Sequence, residues 1–291
     1  MQAPTDSLVI ALDSPDDFAG FRQAARVLLA LDVDPQALHW RWSDALSEQS
    51  AGDDLFAADA AGSLAGKALT PDMLDQLPCP PGQPLRLKAA QLGMLRNACC
   101  HSHPGRFALC YRWLWRVQQW PGLAGDALDG DWREIECMAR VVGRDIHKMH
   151  AFVRFRPSRD AQGRELHIAW FEPEHFCVRE AAGFFMRRFT SMRWVILTPQ
   201  CSVHWDLEQL QFAAGGRAQD APGPDAGESL WLAYYQSTFN PARLKEQAML
   251  REMPRRYWKN LPEAQLISGL VASARSRTGH MLEADALGER A

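Results

Sequence analysis

Leu8-Val9-Ile10-Ala11-Leu12 is a short unbroken apolar run, the length of a buried strand. After Pro15, Phe18, Phe21, Ala25, Leu28 and Leu29 recur three and four residues apart, which predicts a helix. Asp34-Pro35 breaks that pattern, and Leu38–Trp42 predicts a second strand. Residues 1–42 therefore read as an N-terminal β-α-β element. From Ser43 to Pro84 the chain turns to Ala, Gly, Asp, Ser and Pro without a period. Residues 43–88 are thus expected to be an excursion or linker outside the core, dispensable for folding.

Periodicity returns at Ala89–Cys99 and again at Phe107–Trp120, where Phe107, Cys110, Tyr111, Leu114 and Val117 form one apolar stripe. A third helix is predicted over Trp132–His147, with Ile135, Met138, Ala139 and Val142 on one face. Ala151–Arg156 then alternates apolar and basic residues, the period of a half-buried strand. Leu166–Phe171 is its expected hairpin partner across an Asp160–Gly163 turn. Pro173–Phe189 reads as mainly helical, with strands at Trp194–Thr198, Ser202–Asp206 and Gln209–Phe212 and a loop over Gly215–Gly227. Helices are expected at Leu230–Thr238 and Pro241–Glu252, the latter capped by Asn240 and stopped by Pro254. The predicted fold class is α+β: a helical cluster packed with a small mixed or antiparallel sheet in a main domain, 89–272, followed by a tail or linker, 273–291.

Charge changes this picture. The net charge of −3 conceals an asymmetry: residues 1–90 hold 6 Lys and Arg against 13 Asp and Glu, whereas residues 140–193 hold 11 against 6. Residues 235–280 hold 8 against 3. Such a division suits a basic face turned to a polyanion, or arginines spread over solvated helix and strand faces. The seven cysteines include the pair Cys99-Cys100 but no CxxC and no CxxxCxxC, so they read as buried thiols of a reducing compartment. The start of the chain lacks a signal-peptide pattern, and no apolar run approaches the roughly 20 residues of a membrane span. A cytoplasmic protein without membrane association is expected.

The densest polar cluster is Arg144-Asp145-Ile146-His147-Lys148-Met149-His150, at an expected helix-to-strand junction. His147 and His150 have the chemistry of an acid or base, and Lys148 that of a Schiff-base nucleophile, with Asp145 beside them. The same residues serve equally as phosphate contacts or as local ion pairs. Cys99-Cys100-His101-Ser102-His103 holds metal-ligand types, but adjacent cysteines do not readily share one ion, and neither metal nor cofactor is expected. Arg144, Lys148, Arg154, Arg156, Arg187, Arg188, Arg193, Arg243, Arg255, Arg256 and Lys259 are the candidate DNA contacts. Guanidinium forks match phosphate oxygens, and the interleaved aromatics divide between core and base stacking.

Several longer stretches resemble one bacterial family: Arg106-Phe107-Ala108-Leu109, Arg144-Asp145-Ile146-His147-Lys148-Met149-His150-Ala151-Phe152-Val153-Arg154-Phe155-Arg156, Ala169-Trp170-Phe171-Glu172-Pro173, Arg187-Arg188-Phe189, Trp205-Asp206 and Leu261-Pro262-Glu263-Ala264. The sequence is similar to the radical-SAM-linked DNA metabolism and repair proteins, whose domain also occurs fused ahead of an iron–sulfur uracil-DNA glycosylase domain. The resemblance implies service in DNA repair beside a radical-SAM protein or a uracil-DNA glycosylase. It carries over no glycosylase chemistry, since no Gly-Glu-Gln-Pro-Gly stretch is present. The resulting expectation is an accessory protein that holds damaged or single-stranded DNA on a basic face. Two alternatives are an enzyme acting through the Arg144–His150 cluster and a protein-interaction adaptor.

Overall fold

The computed structural model describes residues 8–42, 68–78, 85–223 and 245–274, together with 228, 232–233, 235–237, 240 and 276. The fold is α+β, as expected. The chain divides into two compact units, one of Met1–His147 with Pro173–Ala181 and one of Lys148–Glu172 with Ala182–Ala291.

In the first unit, strand β1 (Leu8–Leu12) pairs in parallel with β2 (Leu38–Trp42), Leu8 opposite Leu38 and Leu12 opposite Trp42. Helix α1 (Phe18–Ala30) connects them and starts three residues after Pro15, because the Asp17 carboxylate caps it by accepting the Gly20 N–H at 2.8 Å. Helices α3 (Ala89–Cys99) and α4 (Arg106–Gln119) bury the expected stripe of Phe107, Cys110, Tyr111, Leu114 and Val117, with Trp113 besides. Phe107 meets Phe21 at 5.4 Å and Trp40 at 6.1 Å between ring centroids, joining α4 to α1 and β2.

The expected excursion needs correction at its described end. Leu69 donates its N–H to the Val9 carbonyl at 2.8 Å, and its own carbonyl accepts from Ala11 N–H at 2.9 Å, extending the small sheet at β1. Thr70 then caps helix α2 (Pro71–Asp75) through Met73 N–H, and Leu74, 1% exposed, enters the hydrophobic core. One leucine at the right register outweighs the polar composition around it. Residues 43–67 and 79–84 lie outside the described residues. Leu74→Ala is accordingly expected to cost about 2–5 kcal/mol, the usual loss for emptying a core leucine site. Urea unfolding checks this, and a loss below about 0.5 kcal/mol would return the segment to the surface.

A second correction concerns α5, which runs unbroken over Gly130–Phe152 instead of ending near His147. Its buried positions Ile135, Met138, Val142, Asp145 and Met149, and Val153 just past its end, follow one another at three- and four-residue spacing. The alternation at Ala151–Arg156 is therefore the tail of a helical pattern seen through too short a window. The Arg144–His150 cluster accordingly sits within a helix, not at a helix-to-strand junction.

The second unit contains a five-stranded mixed sheet in the order β3 (Arg156–Arg159), β4 (Glu165–Trp170), β5 (Trp194–Leu197), β6 (Cys201–Trp205), β7 (Leu210–Ala214). Only the β4–β5 pair is parallel among these strands. The expected Asp160–Gly163 turn is present, with Gly163 at φ 75°, but β4 pairs with Arg156–Arg159 and not with Ala151–Arg156. Helix α6 (Val178–Arg188) joins β4 to β5, beginning later than Pro173. Phe155, Phe185, Phe189 and Trp194 pack at 5.3–6.5 Å around the sheet, edge to face or tilted except for the stacked pair Phe185 and Phe189. Toward the C-terminus follow α7 (Glu246–Glu252), a 3-10 turn over Arg255–Asn260, and a helical stretch at 264–274. Of the expected helices at Leu230–Thr238 and Pro241–Glu252, residues 230–231, 234, 238 and 241–244 lie outside the described residues, Arg243 among them. So do 275 and 277–291 of the expected tail.

Candidate functional site

The candidate DNA contacts sort into two groups. Arg154 reaches Glu263 at 3.4 Å and the carbonyls of Ala151 and Val153, and Arg156 reaches Glu228 at 3.0 Å and the Pro222 carbonyl. Arg193 is held at 2.9 Å by Asp160, Lys259 by Glu172, and Lys148 by the carbonyl and carboxylate of Glu252. Arg193 and the Asp160 turn together hold the Asp160 carboxyl well below the ordinary carboxylate range. These five cations are already neutralised within the second unit.

The other group faces solvent. Arg187 and Arg188 are both exposed in the last turn of α6, where a cation is favoured by the helix dipole. Arg255 lies 5.7 Å from the Trp258 ring, and Arg256 lies 4.8 Å from the Tyr257 ring while donating to its hydroxyl. Both guanidinium groups belong to exposed residues on the 3-10 turn, anchored by buried Tyr257, which stacks on Phe171 at 5.5 Å. An aromatic ring beside a guanidinium holds its plane in place. Arg144 is also exposed, on the part of α5 that belongs to the first unit.

The four catalytic candidates have different surroundings. Asp145, 2% exposed, accepts the backbone N–H groups of Glu174 at 2.8 Å and His175 at 3.0 Å. His147 is exposed. Lys148, its side chain 12% exposed, is engaged with Glu252, and His150 stacks on Phe184 at 4.0 Å. With its amine turned onto the Glu252 carbonyl and carboxylate, this lysine is poorly placed to attack an aldehyde.

A polar centre in the first unit joins the His101-Ser102-His103 stretch to His175, a residue that the sequence did not single out. His175, 3% exposed, accepts the Ser102 N–H at Nδ1 (3.2 Å), and the Ser102 Oγ lies 3.1 Å from the same nitrogen. His101 stacks on His175 at 4.4 Å and accepts the His103 N–H, while His103 accepts the Gly105 N–H. Pro173-Glu174-His175, a proline followed by two polar residues before an apolar run, was the available signal of a loop there. Beneath it Arg106 is fully buried, donating to the carbonyls of Cys99, His103 and Pro15 and lying between the rings of Trp42, Phe107 and Phe176. Among the described residues no three His, Cys, Asp or Glu side chains are grouped to hold a metal.

Burial, then the neighbouring His175, His103 and Arg106, lowers His101 to about 4, and burial lowers His175 against the opposing pull of Asp145. A folded-state value below the ordinary 6.5 means that the unfolded chain binds more protons between the two. The contribution to stability is full above pH 6.5 and is lost as pH falls toward about 4. Thermal melts stepped from pH 7.5 to 4.5 should show this decline, and His101→Gln should make it shallower. An identical pH dependence in the variant would remove His101 from the account.

Among the described residues no helix is long and apolar enough to cross a membrane. No curated protein and no solved structure matches the chain. A family profile described as a domain of unknown function, DUF4130, matches residues 104–263, more than half of the 291 residues. The chain belongs to the DUF4130 family.

Proposed function

We propose that this protein is an accessory factor of DNA repair that holds damaged or single-stranded DNA on the second unit through Arg187, Arg188, Arg255 and Arg256. The observation that carries the reading is the exposure of these four arginines, two at a helix C-terminus and two beside aromatic rings. Exposed guanidiniums supply phosphate contacts, and Trp258, partly exposed beside them, supplies a face on which an unpaired base can stack. The resemblance to radical-SAM-linked repair proteins implies a partner that receives the held strand: a radical-SAM repair protein or a uracil-DNA glycosylase domain.

Binding of the whole chain to single- and double-stranded oligonucleotides, titrated across salt, tests the reading. The expected result is an affinity that falls linearly with salt on logarithmic axes, because each neutralised phosphate releases counterions, with single strands preferred. Absence of binding at low salt would remove DNA from the account and leave a protein-interaction adaptor.

A further inference from the structure

We infer that Ser102 and His175 form a nucleophile–base pair that accepts the acyl group of an uncharged carboxylic ester. This inference is independent of the DNA-holding reading and lies wholly within the first unit. Ser102 is exposed, whereas the imidazole it meets is buried, so the hydroxyl is open to a ligand while its base is held. The base is fixed at both ends of its residue. Asp145 holds the His175 backbone N–H, and the Ser102 backbone N–H points at Nδ1. That second bond selects the tautomer: Nδ1 carries the lone pair and Nε2 carries the proton. Nε2 is buried without a hydrogen-bond partner, so the ring's single accepting nitrogen is the one that faces the hydroxyl.

The chemistry follows from this arrangement. Ser102 Oγ forms a bond to the ester carbonyl carbon as its proton passes to His175 Nδ1, and the carbonyl electron pair moves onto oxygen. A protonated Nδ1 no longer accepts the Ser102 N–H, which is thereby released to the developing oxyanion at the moment that charge appears. Collapse breaks the bond to the alcohol, which leaves with the proton from Nδ1. Water then repeats the sequence, releasing the acid and restoring Ser102. Asp145 acts here as a positioning residue whose charge favours the imidazolium.

The electrophile is uncharged because the arginines around the loop are committed elsewhere. Arg106 is buried on three carbonyls, Arg179 is 3.3 Å from Asp16, and Arg96 is 3.9 Å from Glu180. None of them is placed to clamp a phosphoryl group.

The test uses the whole chain and p-nitrophenyl acetate, following nitrophenolate release and locating acetylated serines by mass spectrometry. Ser102 is expected to be acetylated about 100-fold faster than the other serines, the lower end of a general-base contribution. The rate should reach a plateau near neutral pH, where His175 is already deprotonated. His175→Asn keeps an acceptor for the Ser102 N–H without the basicity and should remove that 100-fold advantage. Acetylation of Ser102 no faster than of other serines, or at the parent rate in a folded His175→Asn, overturns the inference. If His175→Asn does not fold, the parent's pH profile decides: a plateau supports the base, and a rate rising tenfold per pH unit to about pH 9 refutes it.

Discussion

Arg106→Met is expected to destabilise the first unit by at least about 3 kcal/mol, because the side chain leaves three carbonyls behind when it goes. Burial lowers the Arg106 guanidinium to about 10, which still leaves it charged at neutral pH. It is satisfied by the carbonyls of Cys99, His103 and Pro15 and enclosed by three aromatic rings. Methionine fills much of the volume, so the packing loss is small and the hydrogen-bond loss dominates. Each orphaned buried acceptor costs about 1–3 kcal/mol, against a total domain stability of about 5–15 kcal/mol. Urea unfolding of the parent and the variant measures this. A difference below about 1 kcal/mol would mean that water reaches the three carbonyls and that Arg106 is not the tie between the Pro15 turn and the start of α4.

Replacing Arg187, Arg188, Arg255 and Arg256 together by alanine is expected to abolish most of the electrostatic binding to DNA while leaving the fold intact. All four residues are exposed, so their truncation opens no core cavity. Each phosphate contact to a single strand contributes about 0.7 to the logarithmic salt slope, so four lost contacts should flatten it by about 3. The informative control is Arg193→Ala, since Arg193 is turned onto Asp160. That variant should keep the parent's slope. An Arg193→Ala effect about one quarter of the fourfold variant's, equal per charge removed, would show that net charge, and not this surface, governs binding.

Much of the fold could be read from the chain because its elements are short, periodic and punctuated. The runs at Leu8–Leu12 and Leu38–Trp42 and the stripe from Phe107 to Val117 each carry one period over their full length. Two features escaped for physical reasons. At Ala151–Arg156 a period of two and the end of a period of 3.6 coincide over six residues, and only the buried partners Asp145, Met149 and Val153 distinguish them. At Leu69–Leu74 composition argued for an exposed linker, whereas burial there depends on two leucines meeting β1 and the core.

The candidate site was legible as residue types but not as partners. Arg154, Arg156 and Arg193 look the same in sequence as Arg187 and Arg188, and their carboxylates lie up to 109 residues away. His175 gave little warning for the same reason: its partner Ser102 lies 73 residues earlier in the chain.

Hydrogen–deuterium exchange of the whole chain, with and without a saturating single-stranded oligonucleotide at low salt, tests the central claim most directly. The account predicts slowed exchange in the peptides carrying the last turn of α6, with Arg187 and Arg188, and the Arg255–Asn260 turn, and none over β1, α1 and β2. Protection confined to the first unit, or no protection anywhere under saturating conditions, would contradict it.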